Sequence, residues 1–377
     1  MSTLKTTNLQ HASAASPAFV LASDGTATAQ LSSLNGGALA GARNRIINGD
    51  MRIDQRNAGA SGTANAYTVD RFGYYGAAAS KGTWQQNAGS VTPPAGFTNY
   101  LGFTSSSAYT VGAAEQFNLY QPVEGFNVAD LAWGTANAKT VTLSFWVRSS
   151  LTGTFGGAVY NNVPNRSYPY SYTITSANTW ELKTIVIPGD TSGTWLTTNG
   201  VGLYLNFCLG AGSTVSSTAG SWAAGRYDSA TGATSVVGTN GATFYITGVQ
   251  LETGSVATPF ERRSYGQELA LCQRYYEKSY AIDTKPGTVT TSATTVAVFP
   301  AAYATYFVCS FQVSKRTTPT MTAYSPTSGA TGYQSQNFVT DVALAGWISS
   351  GVNSATVYNS GSPNTSNYVH FTAEAEL

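Results

Sequence analysis

The sequence predicts an all-β protein, folded as an antiparallel sandwich or barrel that carries one short helix. Many short segments alternate apolar and polar residues with the period of two that is typical of half-buried strands, and Gly, Asn, Ser and Thr turns separate them. Composition agrees with this prediction, because charged residues make up only 10% of the 377 residues whereas Gly (39) and Tyr (23) are abundant.

The alternation is clearest in two segments. In Lys139–Arg148 the apolar residues share one face, and Trp146 and Arg148 lie on the opposite, polar face. The segment 200–209 repeats the pattern, with Tyr204 predicted to point outward beside Asn206 and Cys208. Further stripes of this kind are 168–174, 243–252, 307–313 and 368–377.

One of these strands changes its inward face partway along. Phe244 and Ile246 share one parity, whereas Val249 and Leu251 share the other, and Gly248 lies at the change. Because one extra residue restores the core-facing parity, the pattern predicts a β-bulge at Gly248.

A single helix is predicted just after this strand. Ser264 and Gln267 form a capping-box pattern, with Ser at the N-cap and Gln three residues later. The helix seam that we expect to pack in an oligomer consists of Tyr265, Leu269, Cys272 and Tyr276. Such a short helix is unstable alone, so it must lie on a sheet or against copies of itself.

The chain divides into four predicted parts. They are an extended arm at residues 1–44, a β-sandwich at 45–262, an amphipathic helix at 263–279 and a C-terminal β domain at 280–377. The arm has short apolar pieces and no lasting period, so we expect it to become ordered by docking on a partner.

The balance of 19 basic and 18 acidic residues argues against nucleic acid as a partner, since phosphate binding needs a concentrated basic face. No apolar run is long enough to cross a membrane, and the N-terminus lacks the pattern of a signal peptide, so we expect no membrane insertion. Three cysteines and two histidines, at spacings that fit no metal motif, lead us to expect no disulfide framework, no cofactor and no metal.

Two motifs bracket more than half of the chain. The segment 44–59, NRIINGDMRIDQRNAG, followed by TVDRF at 68–72, resembles the opening of a domain common in phage tail-fibre and prophage structural proteins. The segment 249–269, VQLETGSVATPFERRSYGQEL, followed by CQRYY at 272–276, resembles its close. The resemblance implies a jelly-roll sandwich like that of carbohydrate-binding modules, in a trimeric fibre whose N-terminal arm attaches to the virion.

In the carbohydrate-module relatives, an Asn-Gly turn and acidic residues on the last strand often hold calcium. Here Asn48, Gly49 and Asp50 match the first half of that pattern. Thr247 and Gly248 stand where acidic residues would be expected, and calcium needs six to eight oxygen ligands, so we expect no calcium site of the family type.

Paired carboxylates matter in this sequence because some phage spikes cleave polysaccharide, and glycoside cleavage uses two acids. Glu374 and Glu376 share a strand face, but a solvated edge is the favoured interpretation because no Trp accompanies them. Asp70 is expected to form an ion pair with Arg71 or a turn hydrogen bond. We therefore predict no catalytic residues.

Aromatic rings on polar strand faces indicate a functional surface more strongly than these carboxylates do. Trp146 with Arg148, and Tyr204 with Asn206, are interpreted first as a contact to a neighbouring subunit. The sequence leaves open two alternatives, stacking on a sugar ring and packing as lone surface or second-layer rings. Trp347, in the last domain, is the predicted contact to a distal receptor.

These observations lead to a trimeric phage tail fibre that binds host surface glycan by multivalent weak contacts, with residues 1–44 docked on other virion proteins. One alternative is a purely structural virion protein, such as a head fibre, decoration or baseplate component. A second alternative is a glycan-degrading tailspike.

Overall fold

The computed structural model describes residues 43–163, 165–298, 305–359 and 366–377, together with residues 8–9, 19–21, 23 and 27–29. Three short strands before residue 43 pair antiparallel in the order of the chain: β1 (Asn8–Leu9), β2 (Phe19–Leu21) and β3 (Ala27–Ala29). Most of the predicted arm of residues 1–44 lies outside the described residues, so its docking role stays a prediction.

Two antiparallel sheets form a sandwich of the jelly-roll type, so the predicted all-β fold class is confirmed. The strands of this part of the chain are β4 (Ala66–Val69), β5 (Phe72–Gly76), β6 (Gly82–Gln86), β7 (Leu101–Ser105), β8 (Gln116–Glu124), β9 (Val141–Ser149), β10 (Gly153–Tyr160), β11 (Arg166–Ile174), β12 (Glu181–Ile187), β13 (Val201–Ala211), β14 (Ser216–Ser217), β15 (Ala223–Ala224), β16 (Ser229–Ala230) and β17 (Thr243–Thr253). One sheet has the strand order β15-β11-β10-β13-β8-β5-β4, and the other has the order β12-β9-β17-β7-β6. Short 3-10 helices occupy Ala88–Ser90, Gly125–Asn127 and Ala129–Leu131.

The core lies between these two sheets and is filled by the predicted inward faces. Phe145 on β9 and Phe207 on β13 meet across the sandwich with ring centroids 5.0 Å apart. Both rings are fully buried, and burying a side chain of this size contributes about 1.5–3 kcal/mol. The period-two stripes are therefore what bring the two sheets together.

The predicted β-bulge in β17 is confirmed. Thr247 pairs with Trp146 of β9, but the next paired residue, Gln250, already faces Ser144, so the register shifts between them. Gly248 adopts a φ of +62°, a left-handed conformation that glycine reaches without steric cost.

The opening and closing motifs of the resemblance contact each other. Asn48 is fully buried, and its amide donates to the carbonyls of Ile53 (2.8 Å) and Asp70 (2.9 Å). At Gly49 a Cβ atom would come within 2.1 Å of the Val249 carbonyl oxygen, so only glycine fits beside β17. Asn48 therefore stabilises the first turn, and Gly49 allows that turn to pack directly against β17, the last strand of the sandwich.

The helix is shorter than predicted. Helix α1 (Tyr265–Gln273) begins with the predicted capping box at Ser264 and Gln267, which is confirmed. Tyr276, predicted to lie on the helix seam, instead belongs to strand β18 (Tyr276–Lys278), which pairs with the last strand.

The C-terminal part of the chain is organised around its last strand. Its strands are β19 (Thr295–Val298), β20 (Thr305–Ser310), β21 (Thr320–Tyr324), β22 (Tyr333–Gln336), β23 (Thr340–Ala343), β24 (Gly346–Ser350), β25 (Ser354–Asn359) and β26 (Ser366–Glu374). Strand β26 pairs with β18, β19, β21 and β22, and a separate sheet has the order β20-β25-β24. The division of the chain at residues 262 and 280 stays a prediction.

Candidate functional site

Tyr204 lies on the outer face of the larger sheet, as its strand parity predicts. Register places Tyr204 opposite Tyr160 of β10, and it places Asn206 opposite Tyr120 of β8. Side chains of like parity on β5, β8, β10 and β13 together line a groove of about 300 Å³. We call it the tyrosine groove and define it by Tyr75, Asn118, Tyr120, Tyr160, Tyr204, Asn206 and Arg226.

The tyrosine rings support one another. Tyr160 and Tyr204 are stacked, with centroids 4.9 Å apart and planes inclined by 21°. Tyr120 lies on the other side of Tyr204 at 6.4 Å. Tyr160 is buried, Tyr204 and Tyr120 are half-buried, and Tyr75 is 40% exposed. Rings that are held in place and still reachable offer apolar faces to a ligand at little entropic cost.

Two amides form the base of the tyrosine groove. Asn118 is 2% exposed and Asn206 is fully buried, and both amide nitrogens donate to Asp228, from Asn118 to Oδ1 at 3.1 Å and from Asn206 to the carbonyl oxygen at 2.8 Å. The Oδ1 atom of each has no hydrogen-bond partner within the described part of the chain. An unsatisfied buried acceptor costs about 1–3 kcal/mol. Both oxygen atoms are closed to solvent, so they belong to the packing beneath the tyrosine groove and not to its accessible surface.

The charge near the tyrosine groove is internally balanced. Arg226 lies 3.2 Å from the Asp228 carboxylate and 5.1 Å over the Tyr160 ring. Burial raises the pKa of Asp228, and the adjacent guanidinium opposes that rise. None of the described residues that line the groove is acidic. The groove therefore suits a neutral ligand with many hydroxyls.

Asn206 and Cys208 are predicted to face outward into solvent. Solvent exposure is wrong for both, because both side chains are buried. The segment around Asp228 covers them, since Asn206 donates to the Asp228 carbonyl. Burial raises the pKa of the Cys208 thiol to about 12, so it is inert at neutral pH.

Trp146 and Arg148 do not form one site. Trp146 lies half-buried on the outer face of the smaller sheet, on the opposite side of the sandwich from Tyr204, in a separate groove. Arg148 instead donates from Nε to the Asn178 carbonyl (2.9 Å) and lies 5.5 Å from the Tyr245 ring centroid.

Trp347 is half-buried and packs against the C-terminal core around Cys309, Val357 and Val369. Its role as a receptor contact stays a prediction.

The predicted helix seam is divided between two surroundings. Tyr265 is 45% exposed and Leu269 is half-buried, whereas Cys272 is fully buried in the chain's own cluster with Ile47. Tyr276 is 4% exposed beneath Arg56, whose guanidinium carbon lies 3.8 Å from its ring centroid. Leu269 packs against the same cluster, so Leu269, Cys272 and Tyr276 are used within the chain, which leaves Tyr265 for an oligomer contact.

Glu376 was predicted to lie on a solvated edge, and this is wrong. Its side chain is 5% exposed and forms ion pairs with Arg71 and Arg56. Glu374 is 49% exposed, as predicted. Arg71 thus pairs with Glu376 rather than with Asp70, whose carboxylate accepts from the Gln55 backbone at 2.9 Å.

Within the described ranges, no group of three or more His, Cys, Asp or Glu residues is arranged to hold a metal ion. Helices in that part of the chain are all too short or too polar to span a bilayer.

Sequence reasoning found Tyr204 but missed Tyr120, Tyr160 and Arg226. A signal for the first was present, because Asn118 and Tyr120 share the outward parity of one strand, QFNLYQPVE. Arg226 comes from a loop whose position depends on Asp228, and no local pattern predicts such a contact.

No family model matches the chain, and no curated protein matches it. Among solved structures, it is similar to the enzymatically active domain of tailspike protein 4 of bacteriophage CBA120, at 13% identity over 56% of this chain and 21% of that one, with a TM-score of 0.30. It is also similar to the family 11 carbohydrate-binding module of a Clostridium thermocellum cellulosomal cellulase, at 10% identity over 53% of this chain and 98% of that one, TM-score 0.26. A third is TmCBM61 in complex with β-1,4-galactotriose, at 11% identity over 56% and 99%, TM-score 0.27. The chain spans about a fifth of the tailspike domain's length.

Proposed function

We propose that this protein is a phage tail-fibre protein that binds a neutral glycan of the host surface through the tyrosine groove, without cleaving it. Binding by a trimer would multiply a weak contact at each groove into a strong attachment. The geometry of the tyrosine groove supports the glycan binding, whereas the two bracketing motifs support the phage origin.

The observation that carries the binding proposal is the stack of Tyr160 and Tyr204 in the tyrosine groove, where the rings of Tyr204 and Tyr120 are only half-buried. Sugar rings present an apolar C–H face and an equatorial rim of hydroxyl donors. The tyrosine groove offers a matching aromatic face, and its lining also includes the polar residues Gln116 and Asn162. Apolar walls with a few polar groups are the combination that small-molecule sites use.

The absence of acids among the described lining residues supports binding rather than cleavage. Asp228 lies beneath the groove, but its carboxylate is held by Arg226 and Asn118. A glycosidase needs a second carboxylate several ångströms away across the substrate. Release of reducing ends from host polysaccharide by the purified protein would overturn this part of the proposal.

The direct test is a glycan array that contains neutral and acidic bacterial surface oligosaccharides, probed with the wild type and with Tyr204→Ala. We expect binding to at least one neutral glycan, and a loss of about tenfold in affinity when the ring is removed. Tyr333→Ala is the control, because it removes an exposed tyrosine ring (40%) in the C-terminal sheet, away from the tyrosine groove.

Two outcomes would contradict the proposal. The first is the absence of binding to any neutral glycan and to host cells, which would favour the purely structural virion protein. The second is equal affinity of the wild type and the Tyr204→Ala variant, which would place the glycan elsewhere.

A further inference from the structure

A second groove, of about 480 Å³, lies on the outer face of the smaller sheet, away from the tyrosine groove. We call it the aromatic groove and define it by Phe97, Trp146, Leu182, Gly248, Phe260 and Arg262. Its volume is within the range of sites that hold small ligands.

The floor of the aromatic groove is built by the strand register. Trp146 of β9 faces Leu182 of β12 on one side and Thr247 of β17 on the other. Next to Thr247 is the bulge residue Gly248, where a Cβ atom would come within 2.7 Å of Phe97 and 3.1 Å of Trp146. Because Gly248 has no Cβ atom, the Phe97 ring can pack directly against the backbone of the bulge.

The walls are apolar and partly open to solvent. Phe97 and Phe260 form an edge-to-face pair with centroids 5.2 Å apart, and Phe97, Trp146 and Phe260 are each half-buried. Leu182 is 53% exposed. Half-buried rings around a concave floor are suited to stack against the apolar face of a ligand.

Arg262 gives the aromatic groove its charge. Its guanidinium carbon lies 4.6 Å from the centroid of Phe97 and 5.6 Å from that of Phe260, so two rings hold it in place. The side chain is exposed, and no ion pair within 4.0 Å involves it among the described residues. The carboxylate that acts on it from beyond that distance is Asp50, whose pKa burial raises and the charges of Arg52 and Arg262 lower, and which is itself paired with Arg52. Its neighbour Arg263 is paired with Glu261 and Glu268.

A guanidinium that is fixed in place but has no carboxylate partner presents its planar edge for bidentate hydrogen bonding. The residues that define the aromatic groove include no acid to compete for it. Charge complementarity therefore favours an anionic ligand over a neutral one, and the planar geometry favours a carboxylate.

We propose that the aromatic groove is a second saccharide-binding site, which takes a sugar residue bearing a carboxylate, such as a uronic or sialic acid. The sugar ring stacks on Trp146, and its carboxylate pairs with Arg262. Since the tyrosine groove is uncharged apart from a balanced ion pair, the two faces of the sandwich bind chemically different glycans.

The test is calorimetric titration of the full chain with oligogalacturonate, oligomannuronate and oligosialate, each also prepared with its carboxylates reduced to alcohols. We expect at least one acidic probe to bind and its reduced form to bind at least about tenfold more weakly. Arg262→Gln should abolish the preference for the acidic form, and Trp146→Ala should weaken both forms. Thermal unfolding establishes that each variant is folded.

Two matched controls separate this site from others. Arg148→Gln removes a neighbouring arginine on the same face that does not line the aromatic groove, and it should bind normally. Tyr204→Ala should also keep acidic binding while losing neutral binding, so failure of the first proposal and failure of this one are distinguishable. Binding of no acidic probe, or unchanged binding by Arg262→Gln, would overturn the inference. So would a fall in oligomer mass for Trp146→Ala, which would make the aromatic groove a contact between copies of the chain.

Discussion

Arg71 is the largest fully buried side chain among the described residues and joins the sandwich to the C-terminal end of the chain. Its side chain is 1% exposed, pairs with Glu376 and donates from Nη2 to the Pro122 carbonyl at 2.6 Å. Tyr275 lies beneath it, with the ring centroid 3.6 Å from the guanidinium carbon. Burial lowers the pKa of Arg71 because a charged guanidinium loses its hydration at this position. An unpaired charge would therefore be unfavourable here.

Removing the partner charge should therefore be costly. We expect Glu376→Gln to lower the free energy of unfolding by about 3 kcal/mol, because Arg71 stays buried without compensation. Glu374→Gln, two residues earlier, is the matched control: its side chain is 49% exposed and its single ion pair, with Arg56, spans 3.7 Å, so we expect a loss below about 1 kcal/mol. Urea unfolding of both variants measures the difference, and equal losses would contradict this account of Arg71.

Asp54 makes stability depend on pH. It is 6% exposed, and its carboxylate accepts from the backbone nitrogens of Asn57 (3.0 Å) and Gly59 (2.8 Å). Burial raises its pKa to about 6, and the nearby Asp70 adds to the rise. The folded state thus holds this proton more tightly than the unfolded state does.

The sign of the effect follows from linkage. The contribution of Asp54 is present in full below its unfolded pKa of 3.8 and is lost as the pH rises through about 6. A shift of this size corresponds to about 3 kcal/mol. We expect Asp54→Asn to flatten the fall in unfolding free energy between pH 4 and pH 6, as measured by urea titration. Wild-type and variant profiles of identical slope would show that Asp54 does not titrate in this range.

At the scale of elements, the β-bulge of β17 could be predicted because a change in apolar parity is a local signal, carried by Phe244, Ile246, Val249 and Leu251. The end of helix α1 could not. Tyr276 continues the helical spacing in sequence, but it pairs with Glu374, 98 residues later, and no local pattern encodes that partner.

The same distinction explains the candidate site. Tyr204 and Tyr120 follow from strand parity, whereas their meeting depends on β8 pairing with β13 across more than eighty residues. The exposure of an outward residue is also not a local property, since Asn206 is covered by the loop at Asp228 and Tyr204 is not. The sequence therefore predicts which face of the strand a residue lies on, but it does not predict which residues of that face form the groove.

A comparison of Gly248 with Gly241 separates two costs of adding a side chain at the bulge, backbone strain and steric overlap with neighbouring side chains. Both have positive φ angles, +62° and +75°, but only Gly248 has close neighbours, whereas a Cβ on Gly241 would meet nothing within 4 Å. We expect Gly241→Ala to cost about 1 kcal/mol from backbone strain alone. Gly248→Ala should cost about 1–2 kcal/mol more, because Phe97 must move. Thermal unfolding of both variants gives the comparison, and a difference near zero would show that Phe97 adapts freely.

At the scale of the whole molecule, polar contacts connect the sandwich to helix α1 and to the C-terminal part of the chain. Arg274, at the end of helix α1, pairs with Glu124 of the sandwich at 2.6 Å. Arg316 of the C-terminal part donates to the Asn199 carbonyl at 2.7 Å. These contacts, with the Arg71–Glu376 pair, tie the last strand to the sandwich rather than leaving it as an independent end.

The proposed trimer is a property of the same scale. We expect light scattering of purified protein at micromolar concentration to give three times the 39.4 kDa mass of the chain. Tyr265→Glu, on the exposed side of helix α1, should shift the mass toward the monomer, because a buried unpaired carboxylate opposes association. Tyr333→Glu is the control with similar exposure. A monomeric wild type would contradict the trimer.

The central claim is that the tyrosine groove binds glycan, and the crystal structure of the protein with the neutral oligosaccharide selected on the array tests it most directly. The account predicts a sugar ring stacked against Tyr204 inside the tyrosine groove. A sugar bound at another surface, with the tyrosine groove empty, would contradict it.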